Sequence, residues 1–416
     1  MPLMCVVIRR QNTHRYDLAA HGHNRDVLAE VEMTSNPQRA GRYVSQAGGY
    51  AAFCPAALPP SPPIEVDDDM AGKLAGASRA LGRLDGATEI LPNADLFVYM
   101  YVRKEAVLSS QIEGTQASLI DILEHEADES NETLDVKEVV NYIKAMDFGL
   151  EWIQEKPIAL PLIERLHTIL LSAGRGSDRK PGQFRDVQNW IGPKQGGIRA
   201  AVFVPPPPGE ALREALTDFE RFLQAPTSLP VLFTAGIIHA QFETIHPFVD
   251  GNGRIGRLLL TLLLCQRAVI SRPLLYVSYF FKLRRLEYYD RLQAIRDHGD
   301  WEGWMRFFLT GLAFVADEAT SIARQITDRR ETDRRTIIAK LGRLSGRALE
   351  LHDKLFQRPI VTVQTVEQLL GVSYQYANRL VSNLEGIGLL REITGQRRNR
   401  RFGYGAYLDL LTADET

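Results

Sequence analysis

The 416-residue sequence predicts a mainly α-helical protein with one short β-hairpin, followed by a smaller C-terminal module of two helices and two strands. Three observations lead there. Apolar residues recur at helical spacing along most of the chain. A Gly251-Asn252-Gly253 turn opens into the nearly all-round apolar run Leu258–Leu264, which marks a central, buried helix. After Gly346 the pattern changes to short helix, turn, helix, strand, basic turn and strand.

Bulk properties bound the function. With 45% hydrophobic and 24% charged residues, the chain has the composition of a globular protein of two or three domains. Its 49 bases against 51 acids give a net charge of -2, which predicts no global attraction to nucleic acid or an anionic membrane. The three cysteines, Cys5, Cys54 and Cys265, are sparse and far apart, so a reducing, cytoplasmic setting without disulfides is expected. No apolar run approaches the ~20 residues of a membrane helix.

Taken in order, residues 1–36 read as a flexible extension, holding His14, His21 and His23 without a period. A start at Met33 and a histidine metal site are the alternatives. Pro37 to Pro63 is rich in Gly and Pro and predicts an extended arm. Helices are expected from about Asp67, where Asp68 and Asp69 complement the helix dipole, and then over 93–112, 117–127, 135–154 and 160–173. The hairpin is placed within 182–208, with Gly196-Gly197 as turn and Val202–Val204 as strand, stopped by Pro205–Pro208. Helices resume over 210–223, 229–245, 253–269, 281–297 and 301–326. The charge-crowded stretch 327–345 predicts a linker helix. In the tail, helices over 365–370 and 373–385 and strands over 389–393 and 402–408 give a winged-helix layout.

The segment His246-Pro247-Phe248-Val249-Asp250-Gly251-Asn252-Gly253-Arg254-Ile255-Gly256-Arg257 carries the chemistry. Gly251, Asn252 and Gly253 sit at a turn into a helix, where glycine permits positive φ and successive N–H groups can form an anion nest. The helix that follows adds its positive dipole end. Arg254 and Arg257, three residues apart, share one face and offer forked donors to phosphate oxygens. Asp250 is a single carboxylate, which suits Mg²⁺ because that ion takes much of its shell from phosphates and water. His246, with an ordinary pKa near ~6.5, suits proton abstraction from an attacking hydroxyl. Such a kit holds a polyphosphate and moves a proton beside it.

At each defining position this segment resembles the Fic family signature His-x-Phe-x-Asp/Glu-Gly-Asn-Gly-Arg-x-x-Arg. Pro181-Gly182-Gln183-Phe184-Arg185 resembles the family's lead into its substrate-positioning flap, and 49–63 its N-terminal extension. The resemblance covers about residues 40–320. It implies a Fic-type helical domain and a protein adenylyltransferase that moves AMP from ATP, with Mg²⁺, to a Ser, Thr or Tyr hydroxyl of a protein target, itself included. It also implies roles: His246 as general base, Asp250 as Mg²⁺ ligand, Gly251, Asn252, Gly253 and Arg254 as phosphate cradle, and Arg257 on the γ-phosphate. The Doc branch, which transfers phosphate, has lysine for the second glycine; Gly253 here favours AMP.

Ser109-Ser110-Gln111-Ile112-Glu113-Gly114 resembles the family's inhibitory pattern Ser/Thr-x-x-x-Glu-Gly/Asn, in the class where the inhibitory helix precedes the catalytic motif. Ser109 and Glu113 lie four apart, on one helix face, and Gly114 suits a helix end. The resemblance implies that Glu113 pairs with Arg257 and restrains transfer. The same glutamate could instead position water for the reverse reaction, removal of AMP.

By the resemblance the hairpin is a flap that holds an extended target by strand addition; a plain surface hairpin is the other reading. In the tail, nine bases against six acids between 346 and 411 leave an excess of three, with Arg397, Arg398, Arg400 and Arg401 at the wing. DNA binding, target docking and homodimerisation are all open to it. A DNA-binding regulator whose Fic domain senses nucleotide is the reading from another class. The expected organisation is 1–36 extension, 37–130 N-terminal region with the inhibitory helix, 131–326 catalytic core, 327–345 linker helix and 346–416 winged-helix-like domain.

Overall fold

A computed structural model describes residues 36–89, 94–127, 133–193 and 195–413. The N-terminal histidines and Lys194 lie outside the described residues. The chain divides into two compact units, one of residues through Gly76, Ala145–Arg267 and Phe280–Gly311, the other of Ala77–Lys144, Ala268–Tyr279 and the chain from Leu312.

The first unit begins with a hairpin where the sequence predicts an extended arm. β1 (Gly41–Gln46) pairs antiparallel with β2 (Tyr50–Pro55), Gly41 opposite Pro55 and Gln46 opposite Tyr50. Gly49, at φ 74°, closes the turn. Tyr43 and Phe53 face each other across the pair, edge to face at 5.0 Å, and Phe53 is buried. The two segments can pair because the prolines leave their middles clear: Pro55 ends β2, and Pro59, Pro60, Pro62 and Pro63 follow it. The hairpin expected within 182–208 shrinks to one antiparallel bridge, Ile191 to Phe203. Gly196 and Gly197 both take positive φ and enter a 3-10 turn over Gly197–Ala200, which uses up the residues a second strand would need. This segment still joins a sheet-like arrangement: Phe53 N–H donates to Val204 O at 2.8 Å, and Arg199 reaches Gly48 O at 3.3 Å.

Helix α1 (Asp68–Glu89) is capped by Asp67, whose carboxylate accepts from Met70 N–H at 2.8 Å. The helices α2 (Ala94–Ile112), α3 (Leu119–Ala127), α4 (Leu134–Trp152) and α5 (Leu160–Leu170) match the expected spans within a few residues. α6 (Glu210–Gln224) is strongly amphipathic and buries Leu212, Leu216, Phe219 and Leu223. α7 (Val231–Ile245) and α8 (Asn252–Gln266) are the centre of the first unit, buried along nearly their whole length. Leu262 of α8 packs so close to Gly149 of α4 that a Cβ there would sit 2.5 Å from its methyl. α9 (Ser278–Leu283) is a short helix ahead of α10 (Arg285–His298), where one helix is predicted.

α11 (Trp301–Leu341) runs unbroken for 41 residues. The charged stretch continues it because Asp333 and Ile337 are buried while Arg329 pairs with Asp333 at 2.7 Å, four residues on. In the second unit α12 (Ser345–Leu355) and β3 (Ile360–Val361) precede α13 (Val363–Leu370) and α14 (Tyr374–Gly386). Thr362 and Ser373 cap the last two with side-chain oxygens. β4 (Leu390–Glu392) and β3 flank β5 (Phe402–Tyr404) in an antiparallel sheet. The predicted strand 402–408 ends at Tyr404, and α15 (Gly405–Thr412) follows, because Tyr407, Leu408 and Leu411 are buried at helical spacing. Helix-turn-helix plus wing is the layout expected.

Candidate active site

The motif spans the junction of α7 and α8. α7 ends at Ile245, and His246 takes a left-handed conformation, φ 48°, ψ 59°, with its N–H donating to Phe242 O at 2.9 Å. A non-glycine residue there costs about 1–3 kcal/mol and persists only where its surroundings enforce it. Asn252 closes the loop by bonding both polar groups of Phe248: N–H to Oδ1 and Nδ2 to O, each 2.8 Å. Gly251, at φ 81°, caps α8 and donates its N–H to Asp250 Oδ1 at 2.6 Å. The first N–H groups of any α-helix lack intrahelical acceptors, so Asn252, Gly253 and Arg254 begin α8 as an anion-binding end does. Arg254 and Arg257 are buried on that helix, and Arg254 Nη2 lies 3.8 Å from Asp250 Oδ1. His246, Asp250, Gly251, Asn252, Gly253, Arg254 and Arg257 therefore converge on one loop and the first turns of one helix. Ser109, Glu113 and Gly114 belong to the other unit. There Ser109 is buried in α2, and the helix ends at Ile112, so Glu113 begins a turn instead of extending the helix face. Its N–H bonds Ser110 O at 3.0 Å, and Gly114 takes φ 98°.

Four residues beside the loop were not among those the sequence singles out as site residues. His167 of α5 stacks on Phe248, centroids 3.7 Å apart and 5° from parallel. Its Nδ1 accepts from Gly182 N–H at 2.8 Å, so the proton sits on Nε2, which donates to Asp250 O at 2.9 Å. Burial pushes the His167 pKa down to about 4, so the ring is neutral at pH 7. Arg185 is 3% exposed and donates to His246 O at 3.0 Å and Pro206 O at 2.6 Å. Asn189 Nδ2 donates to Phe248 O at 2.8 Å. Gly176, at φ 85°, approaches the loop so closely that a Cβ there would lie 2.6 Å from Asp250 Oδ2. Arg185 was visible within Pro181–Arg185, but a single polar residue inside a helix, as His167 is, carries no sequence signal of its own.

α8 is held to α7 from behind. His239 Nδ1 donates to Gly256 O at 3.2 Å and its Nε2 accepts from Tyr288 O–H at 2.9 Å. Burial pushes its pKa down to about 3. In the second unit burial likewise lowers that of His352, to about 4, where it donates to Tyr404 Oη at 3.0 Å. Both histidines are neutral when folded, whereas the unfolded chain protonates near pH ~6.5. The unfolded state thus binds more protons below that pH, and stability should fall as pH drops from 6.5 toward 4, by about 1.4 kcal/mol per pH unit for each. Thermal melting between pH 7 and 5 checks this; a melting temperature flat across that range would contradict it.

Comparison with known proteins fits this geometry to a family. The Fic/DOC family N-terminal model matches residues 71–151, the Fic/DOC family model 157–264, and an HTH DNA binding domain 349–404. The chain therefore carries the two Fic/DOC-family domains followed by a helix-turn-helix domain. It is 32% identical to the protein adenylyltransferase Fic of Drosophila grimshawi over 182 residues, 43% of this chain and 33% of that protein. The Drosophila melanogaster protein of the same name is 32% identical over 183 residues. The match thus spans about a third of those relatives' length. A Fic family protein from Desulfovibrio desulfuricans G20 shares the fold, with a TM-score of 0.51 at 20% identity, covering 82% of this chain and 97% of that one. Among the described residues no helix is long and apolar enough to cross a membrane.

Proposed function

We propose that this protein is an adenylyltransferase that moves AMP from ATP to a Ser, Thr or Tyr hydroxyl of a protein target, including itself. The observation that carries this reading is the junction of α7 and α8, where a left-handed histidine precedes a glycine-capped helix start with two buried arginines. In this reading His246 takes the proton of the target hydroxyl. The hydroxyl oxygen then bonds to the α-phosphorus, the bond from that phosphorus to the α,β-bridging oxygen breaks, and pyrophosphate leaves. Positioning and charge neutralisation supply most of the rate enhancement. The amides beginning α8, with Arg254 and Arg257, hold the phosphates.

Asp250 fits a Mg²⁺ ligand. Among the described residues no group of three or more metal-binding side chains gathers, and a lone carboxylate suits an ion that draws its other ligands from phosphate and water. The missing side chain at Gly176 leaves room beside that carboxylate. Bound there, Mg²⁺ would neutralise phosphate charge. Gly176→Ala should raise the Mg²⁺ concentration for half-maximal transfer about tenfold, measured by Mg²⁺ titration of the reaction; an unchanged midpoint would remove Asp250 from this role. Glu113 is proposed to restrain transfer from its turn after α2. Incubation with α-labelled ATP and Mg²⁺ tests the whole reading through label on protein.

The helix-turn-helix match supports a second reading, DNA binding. Gln375, Asn378, Arg379 and Ser382 are exposed on α14, and Arg397 and Arg398 on the wing, residue types that contact base edges and phosphates. A gel shift that persists in His246→Ala and is lost on truncation at about residue 345 is the expected result. Equal binding by the truncated chain would exclude this surface.

A further inference from the structure

Backbone carbonyls cluster on one side of the catalytic loop, and one short segment takes nearly all of them. Arg185 alone serves three consecutive residues: Nη2 to Ile245 O at 3.4 Å, Nε to His246 O at 3.0 Å, and its own N–H to Pro247 O at 2.9 Å. Asn189 takes Phe248 O at 2.8 Å, and His167 takes Asp250 O at 2.9 Å. We infer that Arg185 and His167 are positioning residues of the transfer site, setting the catalytic loop by its carbonyl oxygens before nucleotide binds. This deepens the adenylyltransferase reading and rests on it.

Peptide planarity makes the inference mechanical. The C=O of one residue and the N–H of the next lie in one rigid plane and point opposite ways. Holding Phe248 O therefore sets the N–H of Val249, and holding Asp250 O sets the N–H of Gly251, which donates to Asp250 Oδ1 at 2.6 Å just ahead of α8. Ile245, His246 and Pro247 bracket the left-handed residue itself. Three bonds from one side chain and its backbone are the kind of over-determination that such a conformation requires.

The two clamps are built for rigidity. The hydrogen-bond partners of the buried Arg185 side chain are the carbonyl oxygens of His246, Ile245 and Pro206, with no carboxylate among them. Burial lowers its pKa only to about 10, so it stays charged and its bonds are charge-assisted. His167 is locked as one tautomer by Gly182 N–H and stacked face to face on Phe248. A side chain at Gly182 would strike Thr168, and that glycine takes φ 78°, so the donor to His167 is itself set. Their positions divide the labour: Arg185 governs His246, the proton acceptor of the proposed transfer, and His167 governs Asp250 and Gly251, which lead into α8.

The test compares Arg185→Lys and His167→Phe in the Glu113→Gly background with α-labelled ATP, alongside melting temperature and amide hydrogen exchange. Lysine keeps the charge and loses the fork; phenylalanine keeps the stack and loses both bonds. Arg185→Lys is expected to lower kcat about 10- to 100-fold with KM for ATP within about threefold. His167→Phe is expected to raise KM for ATP more than it lowers kcat, and to speed exchange across 249–251. His167→Gln, which retains a donor, should recover part of the loss. Activity that falls only with the folded fraction, kcat and KM moving alike in both variants, would overturn the inference. Should the background itself transfer no label, the adenylyltransferase reading fails, and exchange alone decides the clamp: unchanged rates at 249–251 in His167→Phe refute it, faster rates uphold it.

Discussion

His246→Ala, made in a Glu113→Gly chain, is expected to lower label transfer from α-labelled ATP by about 10²–10⁴-fold while the protein still melts near the parent temperature. His246 is the titratable side chain at the end of α7 that the turn presents ahead of the nest. Its backbone is held by Arg185 and by Phe242 O, so removing the ring leaves the loop's hydrogen bonds in place. Alanine adopts φ 48° somewhat less readily than histidine, a cost that the melting temperature reads directly, so a loss at a parent-like melting temperature comes from the missing proton acceptor and not from unfolding. Binding of ATP should survive, because the phosphate donors lie on α8. Transfer that persists in His246→Ala would mean another base, and the reading of the motif as a transfer site would have to be abandoned.

Glu113→Gly is expected to raise transfer by roughly 5–150-fold, the span of couplings of ~1–3 kcal/mol. A charge-assisted hydrogen bond of the kind expected of this glutamate contributes about 1.5–3 kcal/mol, which lies in that range. The turn that carries it is well anchored: Gln111 Nε2 reaches Ala117 O at 3.0 Å and Thr115 Oγ1 reaches Glu138 at 3.0 Å. Ser109 is buried one turn earlier. Glycine at 113 removes the carboxylate while those contacts remain, so folding should be little affected. The measurement is label on the protein in wild type, Glu113→Gly and Glu113→Gly/His246→Ala. Gain in the single variant and loss in the double would establish transfer, its base and its restraint together. No gain in a folded Glu113→Gly protein would dispose of the restraint. Release of AMP from a modified protein, abolished by the same substitution, would instead favour the reverse reaction.

How far residues alone reach differs along the chain. The helices around the site were legible because long stretches with apolar stripes, or apolar all round as in α8, admit few alternatives. The C-terminal layout was legible from Ser373, the glycine-marked turns and the basic wing. The hairpin expected within 182–208 is a single bridge and the arm expected over 37–63 holds a hairpin instead, both for one reason. A strand pair depends on which flanking segments align across a turn, and glycine and proline counts report turns without saying which segments pair. β1 and β2 have little alternation to show, and Val202–Val204 has strand residues but only Ile191 opposite Phe203 as a bridge. α12 and β3 went unseen because they are short and framed by charge.

By itself the sequence determined the chemical inventory: a histidine, a carboxylate, glycines and arginines at a spacing that a turn into a helix brings together. Local geometry is enough for that, since all of them lie within twelve residues, from His246 to Arg257. Only the tertiary structure decided how the loop is held. His167, Gly176, Arg185 and Asn189 lie some 60 to 80 residues upstream in sequence, and nothing in their neighbours' spacing announces that their donors, or in one case a missing side chain, meet the loop. Hydrogen bonds between segments so far apart exist only once helices α5, α7 and α8 have packed, which is why the clamp belongs to the fold and the motif to the sequence.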